Sequence, residues 1–85
     1  MRTIHKCPIA LVEGSTRLFV HRGAKIVLVD HQIGIPAIWL EVETDQPREE
    51  GEFIVVGTGH KIPSEYAHIG SFKSDPYVWH IYEKG

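Results

Sequence analysis

The sequence predicts an all-β protein, a small antiparallel β-sandwich or barrel of about six to seven strands with at most one short helical turn. Three observations predict it. Short runs alternate apolar and polar residues, the period of a strand with one buried face. Gly, Pro, Asp and Ser punctuate these runs at close spacing. No stretch holds a 3.6-residue apolar period long enough for an amphipathic helix.

The elements follow in order. "RTIHKCPIALV" (2–12) alternates loosely and is interrupted by Pro8, which cannot donate to a ladder. It reads as an edge strand or one bent at the proline. "TRLFVH" (16–21) is a short strand that Arg22-Gly23 ends. "AKIVLVDHQ" (24–32) and "IPAIWLEVE" (35–43) form the strongest pair. Alternation sets Ile26 and Leu28 against Val27 and Val29, and Ile38, Leu40 and Val42 against Trp39 and Glu41. A two-residue type I′ turn between them would force Ile33 to a positive φ, costly for a β-branched residue. A longer loop is expected, with Gly34 in the left-handed position of a bulge. An exposed Ile33 at that tip hints at a subunit contact.

"TDQPREEG" (44–51) reads as a polar connector and "EFIVVGTG" (52–59) as a strand covered on both faces. "PSEYAH" (63–68) supports one helical or 3₁₀ turn. "AHIGSFK" (67–73) is a strand, "SDP" (74–76) a turn, and "YVWHIYE" (77–83) the last strand. In that strand Tyr77, Trp79 and Ile81 oppose Val78, His80 and Tyr82.

Composition bounds the rest. Eighty-five residues suit one domain, 1–85, with a thin core that oligomerisation would help. The formal net charge of −2 argues against a long nucleic acid as partner. Six of the 11 acidic residues fall between Glu41 and Glu52, around Arg48, the pattern of a solvated loop. The single cysteine, Cys7, reads as a buried inert thiol in a reducing compartment. No apolar run approaches a membrane span, and no secretory leader is evident, so a cytoplasmic protein with no membrane partner is expected.

Several segments carry a resemblance. "MRTIHKCPI", "GAKIVLVDHQIGIPAIWLEVE", "FIVVGTGHKIP", "YAHIGSF" and "VWHIYE" resemble a family of short bacteriophage proteins catalogued as a domain of unknown function. The likeness covers nearly the whole chain, with "GTGHKIP" and the terminal "VWH" its most specific parts. It implies a small β-rich fold and a phage gene expressed in a bacterial cytoplasm. It implies no activity. Relatives more often show "NG" at the hairpin where this chain has Ile33-Gly34.

The residues best suited to chemistry lie in "VVGTGHKIPSEY". The turn lacks the third glycine of a dinucleotide fingerprint, where Ile62 stands, and it has no P-loop Lys-Ser/Thr step. Two readings remain. Gly57, Thr58, Gly59, His60 and Lys61 form an anion-binding nest, or they form only a corner that needs glycine. Trp39, His80 and Tyr82 are the further ligand candidates, since aromatics can stack a base. His5, His21, His31, His60, His68 and His80 show no metal-ligand spacing, and no metal or cofactor is expected. Ser15, Ser64, Ser71, Ser74 and Cys7 show no nucleophile–base spacing, and acid–base work by His60 with Glu65 or Asp75 is the only catalytic alternative. The expectation is therefore a non-enzymatic binding protein. It would hold a small nucleotide-like ligand, as a homo-oligomer, and sequester a host signalling molecule in counter-defence. The alternative is a protein–protein module that inhibits a host protein or serves as a minor phage structural part, through a sheet edge or the Ile33 tip.

Overall fold

The computed structural model describes residues 1–10 and 14–85. Seven strands follow the alternation of the sequence: β1 (Arg2–Pro8), β2 (Thr16–His21), β3 (Lys25–Gln32), β4 (Ile35–Glu43), β5 (Arg48–Gly57), β6 (Tyr66–Ser74) and β7 (Tyr77–Lys84). They pair antiparallel into two sheets, ordered β1-β4-β3 and β2-β5-β7-β6. Two separate sheets with free edges make a sandwich and exclude the barrel alternative. The Cα atoms extend 39 × 28 × 16 Å, and the short axis leaves room for one core layer between sheets packed ~10 Å apart.

That layer holds Ile9, Ile38, Leu40, Val42, Phe53, Phe72 and Ile81, all buried. Ile38, Leu40 and Val42 share the inward face of β4 as alternation requires, and Trp39 points outward from the same strand. β5 lies between β2 and β7 and buries Phe53 on one face and Val56 on the other. Cys7 packs against the core, and burial raises its thiol pKa above the ordinary value. β1 is an edge strand that stops at Pro8. Leu11 and Val12, read as part of this first run, lie outside the described residues.

Four expectations are corrected. The β3–β4 hairpin has a two-residue turn, with Gln32 facing Ile35, Ile33 at φ 51° and Gly34 at φ 75°. Both positive angles are those of a type I′ turn. The strongly pinned register of β3 and β4 imposes the tight turn despite the cost at Ile33.

In β3, a register shift between Ile26 and Leu28 breaks the alternation. Ile26 and Val29 consequently pack on the core, and Val27 and Leu28 are exposed. β5 begins at Arg48, inside the expected connector, because Arg48–Phe53 pair with β2. Arg17 neutralises Glu50 and Glu52 at 3.7 and 3.3 Å, and Arg22 neutralises Glu49 at 2.8 Å. Cross-strand pairing of this kind makes the acidic run compatible with a strand. Lastly, the segment before β6 contains no helix: Tyr66 N–H donates to the Pro63 carbonyl at 3.2 Å across a single turn.

Candidate functional site

The glycine turn is tightly self-bonded. His60 N–H donates to the Gly57 carbonyl at 3.1 Å, and Gly57 N–H donates to His60 Nδ1 at 3.3 Å. Gly59 sits third in the turn at φ 89°, where type II geometry calls for glycine. A Cβ on Gly57 would stand 3.0 Å from the His60 ring and 3.1 Å from Trp79. Both glycines and the imidazole are thus used in closing the corner. The Gly57 N–H is spent on His60, so the turn does not present a full run of free donors to an anion. Lys61 is exposed beyond the turn and borders a shallow depression with Ile62, Pro63, Ser64 and Glu65.

Thr58, at the tip of this turn, reaches a different set of residues. On the outward face of the four-stranded sheet, His68 and Ser71 of β6 meet His80 and Tyr82 of β7. His68 pairs with Tyr82 and Ser71 with His80, so three residues of β6 span two of β7. The register shift between His68 and Gly70 provides the extra residue. Without it, strict alternation would put His68 and Ser71 on opposite faces.

The side chains form one chain of hydrogen bonds. His68 Nε2 lies 2.9 Å from Ser71 Oγ, and Ser71 Oγ lies 2.7 Å from His80 Nδ1. His80 Nε2 lies 3.4 Å from Thr58 Oγ1, which lies 3.5 Å from the Val78 carbonyl. With neutral rings one direction satisfies every contact. Thr58 donates to the carbonyl and accepts from His80 Nε2–H; His80 Nδ1 accepts the Ser71 hydroxyl proton; Ser71 accepts from His68 Nε2–H. The His68 ring also packs edge-on to Tyr82, centroids 5.3 Å apart.

At one end of the same face Glu52 is held by three groups. Tyr66 Oη donates to Glu52 Oε2 at 2.8 Å, and Arg17 Nε and Lys84 Nζ lie 3.3 and 3.5 Å from the carboxylate. The Tyr66 bond first, then the two cations, lowers the Glu52 pKa against the opposing effect of desolvation. The same bond raises the Tyr66 pKa.

The expected ligand residues therefore divide. Thr58, His80 and Tyr82 come together. Gly57, Gly59 and His60 build the corner that carries Thr58, and Lys61 lies beyond it. Trp39 stands on the outward face of the other sheet, with Lys6 Nζ 5.7 Å from its ring centroid. His68 and Ser71 escaped the sequence reading because their three-residue spacing has meaning only across a bulge. The glycine between them, Gly70, was the available signal.

Among the described residues no group of three or more His, Cys, Asp or Glu is placed to hold a metal ion. Among them, too, no helix is long and apolar enough to cross a membrane. No curated protein and no solved structure matches the chain. The model of a domain of unknown function, DUF7352, matches residues 1–85, and the chain belongs to that family.

Proposed function

We propose that this is a non-enzymatic binding protein that takes a small anionic, nucleotide-like ligand on the outward face of its four-stranded sheet. One observation carries the reading. His68 Nε2 and His80 Nδ1 converge on a single oxygen, Ser71 Oγ, at 2.9 and 2.7 Å. Two imidazoles and two hydroxyls arranged in this way can redirect N–H and O–H groups to a phosphate oxygen. Lys73, two residues past Ser71 on β6, adds a cation on the same face by alternation. Tyr82 adds an aromatic surface for a base. The site is open, so a second copy of the chain would bury the ligand more completely, and a homo-oligomer follows from the reading.

The resemblance to short phage proteins supplies the setting. In a bacterial cytoplasm, such a protein would counter host defence by holding a signalling nucleotide without cleaving it. Native mass spectrometry of protein purified gently from infected cells tests this directly. A defined oligomer carrying an adduct of nucleotide size is expected, and its loss in His80→Ala would place the adduct. A bare monomer would overturn the reading.

A second reading rests on Ile33, which is 99% exposed at a hairpin tip and held at φ 51°. A protein–protein module would use that tip as an apolar anchor. Capture of one host protein by the wild type but not by Ile33→Asp supports this reading. Equal capture by both rejects it.

A further inference from the structure

The two long seams of the sandwich differ. On one side β3 and β6 close tightly, with Val29 against Gly70 and the His31 ring 5.4 Å from the Phe72 ring. On the other side the free edges of β1 and β2 leave a cleft. Leu40, Val42 and Val20 contribute its apolar lining, and His5, His21 and Arg48 its polar groups. The two imidazoles are neighbours, centroids 5.9 Å apart and planes tilted by 54°.

Charge is segregated here. Among the described residues no acidic side chain lines this cleft. Arg17 and Arg22 are paired with glutamates, whereas Arg48 makes no ion pair or side-chain hydrogen bond among the described residues. Lys6 also borders the cleft, but its ammonium is directed to Gln32 Oε1. His21 is buried, and its Nδ1 lies 2.7 Å from the Gln46 carbonyl. A carbonyl only accepts, so Nδ1 carries the proton and fixes the ring's orientation. Nε2 is left without a partner among the described residues.

We infer that this cleft is a second binding site, for a small anion carried on an apolar body: a carboxylate or phosphate on a short alkyl or aryl group. Arg48 is the charged anchor, and His5 and His21 are further polar contacts. Leu40, Val42 and Val20 take the apolar body. The site is separate from the Ser71–His80 face and does not depend on it.

Heteronuclear NMR of the full chain, titrated with octanoate and with phenyl phosphate, tests the inference. Saturable shifts of the His5, Cys7, Val20 and His21 amides are expected with at least one probe. Saturation by octanoate alone assigns a carboxylate ligand, and saturation by phenyl phosphate alone an aryl phosphate. Inorganic phosphate should bind at least about tenfold more weakly, since it has no apolar body. Arg48→Glu should weaken the bound probe about tenfold or more, with His5→Gln as a second, uncharged variant. The wild-type-like spectrum of each variant checks its fold. Amides that stay still with both probes, shifts confined to Ser71 and His80, or unchanged affinity in Arg48→Glu would each overturn the site.

Discussion

Val29 Cγ2 stands 2.5 Å from the point a Cβ would occupy on Gly70. The two residues belong to opposite sheets, and each lies just past a register shift in its own strand. The shift in β3 turns Val29 inward. The shift in β6 brings Gly70 opposite Ile81 and lets the backbone approach Val29. Gly70→Ala forces a methyl into space held by the branched Val29 side chain and is expected to cost about 1–3 kcal/mol. Thermal melts check this: each kcal/mol lowers Tm by about 4–8 °C in a domain of this size. An unchanged Tm would mean that the sheets do not meet here.

The same β6 shift assembles the His68–Ser71–His80 network, so the sheet contact and the candidate site both depend on the backbone at Gly70. This explains what the sequence made legible. Alternation identified the inward face of β4 and the opposed faces of β7, because those strands keep a strict period of two. It failed for Leu28 and for the His68–Ser71 pair, because a bulge changes the phase of every residue beyond it. It missed the start of β5 because Glu49 and Glu50 fall in a stretch that reads as a polar connector. Their partners Arg17 and Arg22 lie about thirty residues earlier in the chain. Thr58 was singled out as part of the glycine turn, and His80 and Tyr82 by residue type.

Ile33 offers a test of local strain. An L-residue in the left-handed region costs roughly 1–2 kcal/mol, and a β-branched side chain has no local hydrogen bond to offset it. Asn tolerates that region and favours the first central position of a type I′ turn. Ile33→Asn should therefore stabilise the isolated chain by about 1 kcal/mol, read as an increase in the urea midpoint. A decrease would show that the Ile33 side chain makes a stabilising contact, as in a self-associated form.

The Glu52–Tyr66 bond makes stability depend on pH at both ends. The folded pKa of Glu52 lies below its ordinary value of 4.5. Its contribution is full above the unfolded value and is lost as pH falls through the folded one. The folded pKa of Tyr66 lies above its ordinary value of 10.0. Its contribution is full below the unfolded value and is lost as pH rises through the folded one. Urea unfolding across both limbs should show Glu52→Gln flattening the acid limb and Tyr66→Phe flattening the alkaline limb. If both variants keep the wild-type profile, this bond does not set either limb.

His60 and His80 separate corner from site. His60 Nδ1 accepts the Gly57 N–H, so His60→Ala leaves a donor unpaired beside a buried glycine and should cost about 1 kcal/mol of stability. Its ring is directed into the turn, so ligand affinity should change little. His80 is half-buried and bridges Ser71 and Thr58. His80→Ala removes the middle of the network and should weaken ligand binding by about tenfold or more, a loss of about 1.4 kcal/mol. Calorimetry with whatever small ligand the gently purified protein retains, alongside thermal melts of both variants, gives the comparison. The expected pattern is a stability loss in His60→Ala and an affinity loss in His80→Ala. The reverse pattern would return the ligand to the glycine turn and leave the His68–Ser71–His80 network as a surface ladder that only joins β6 to β7.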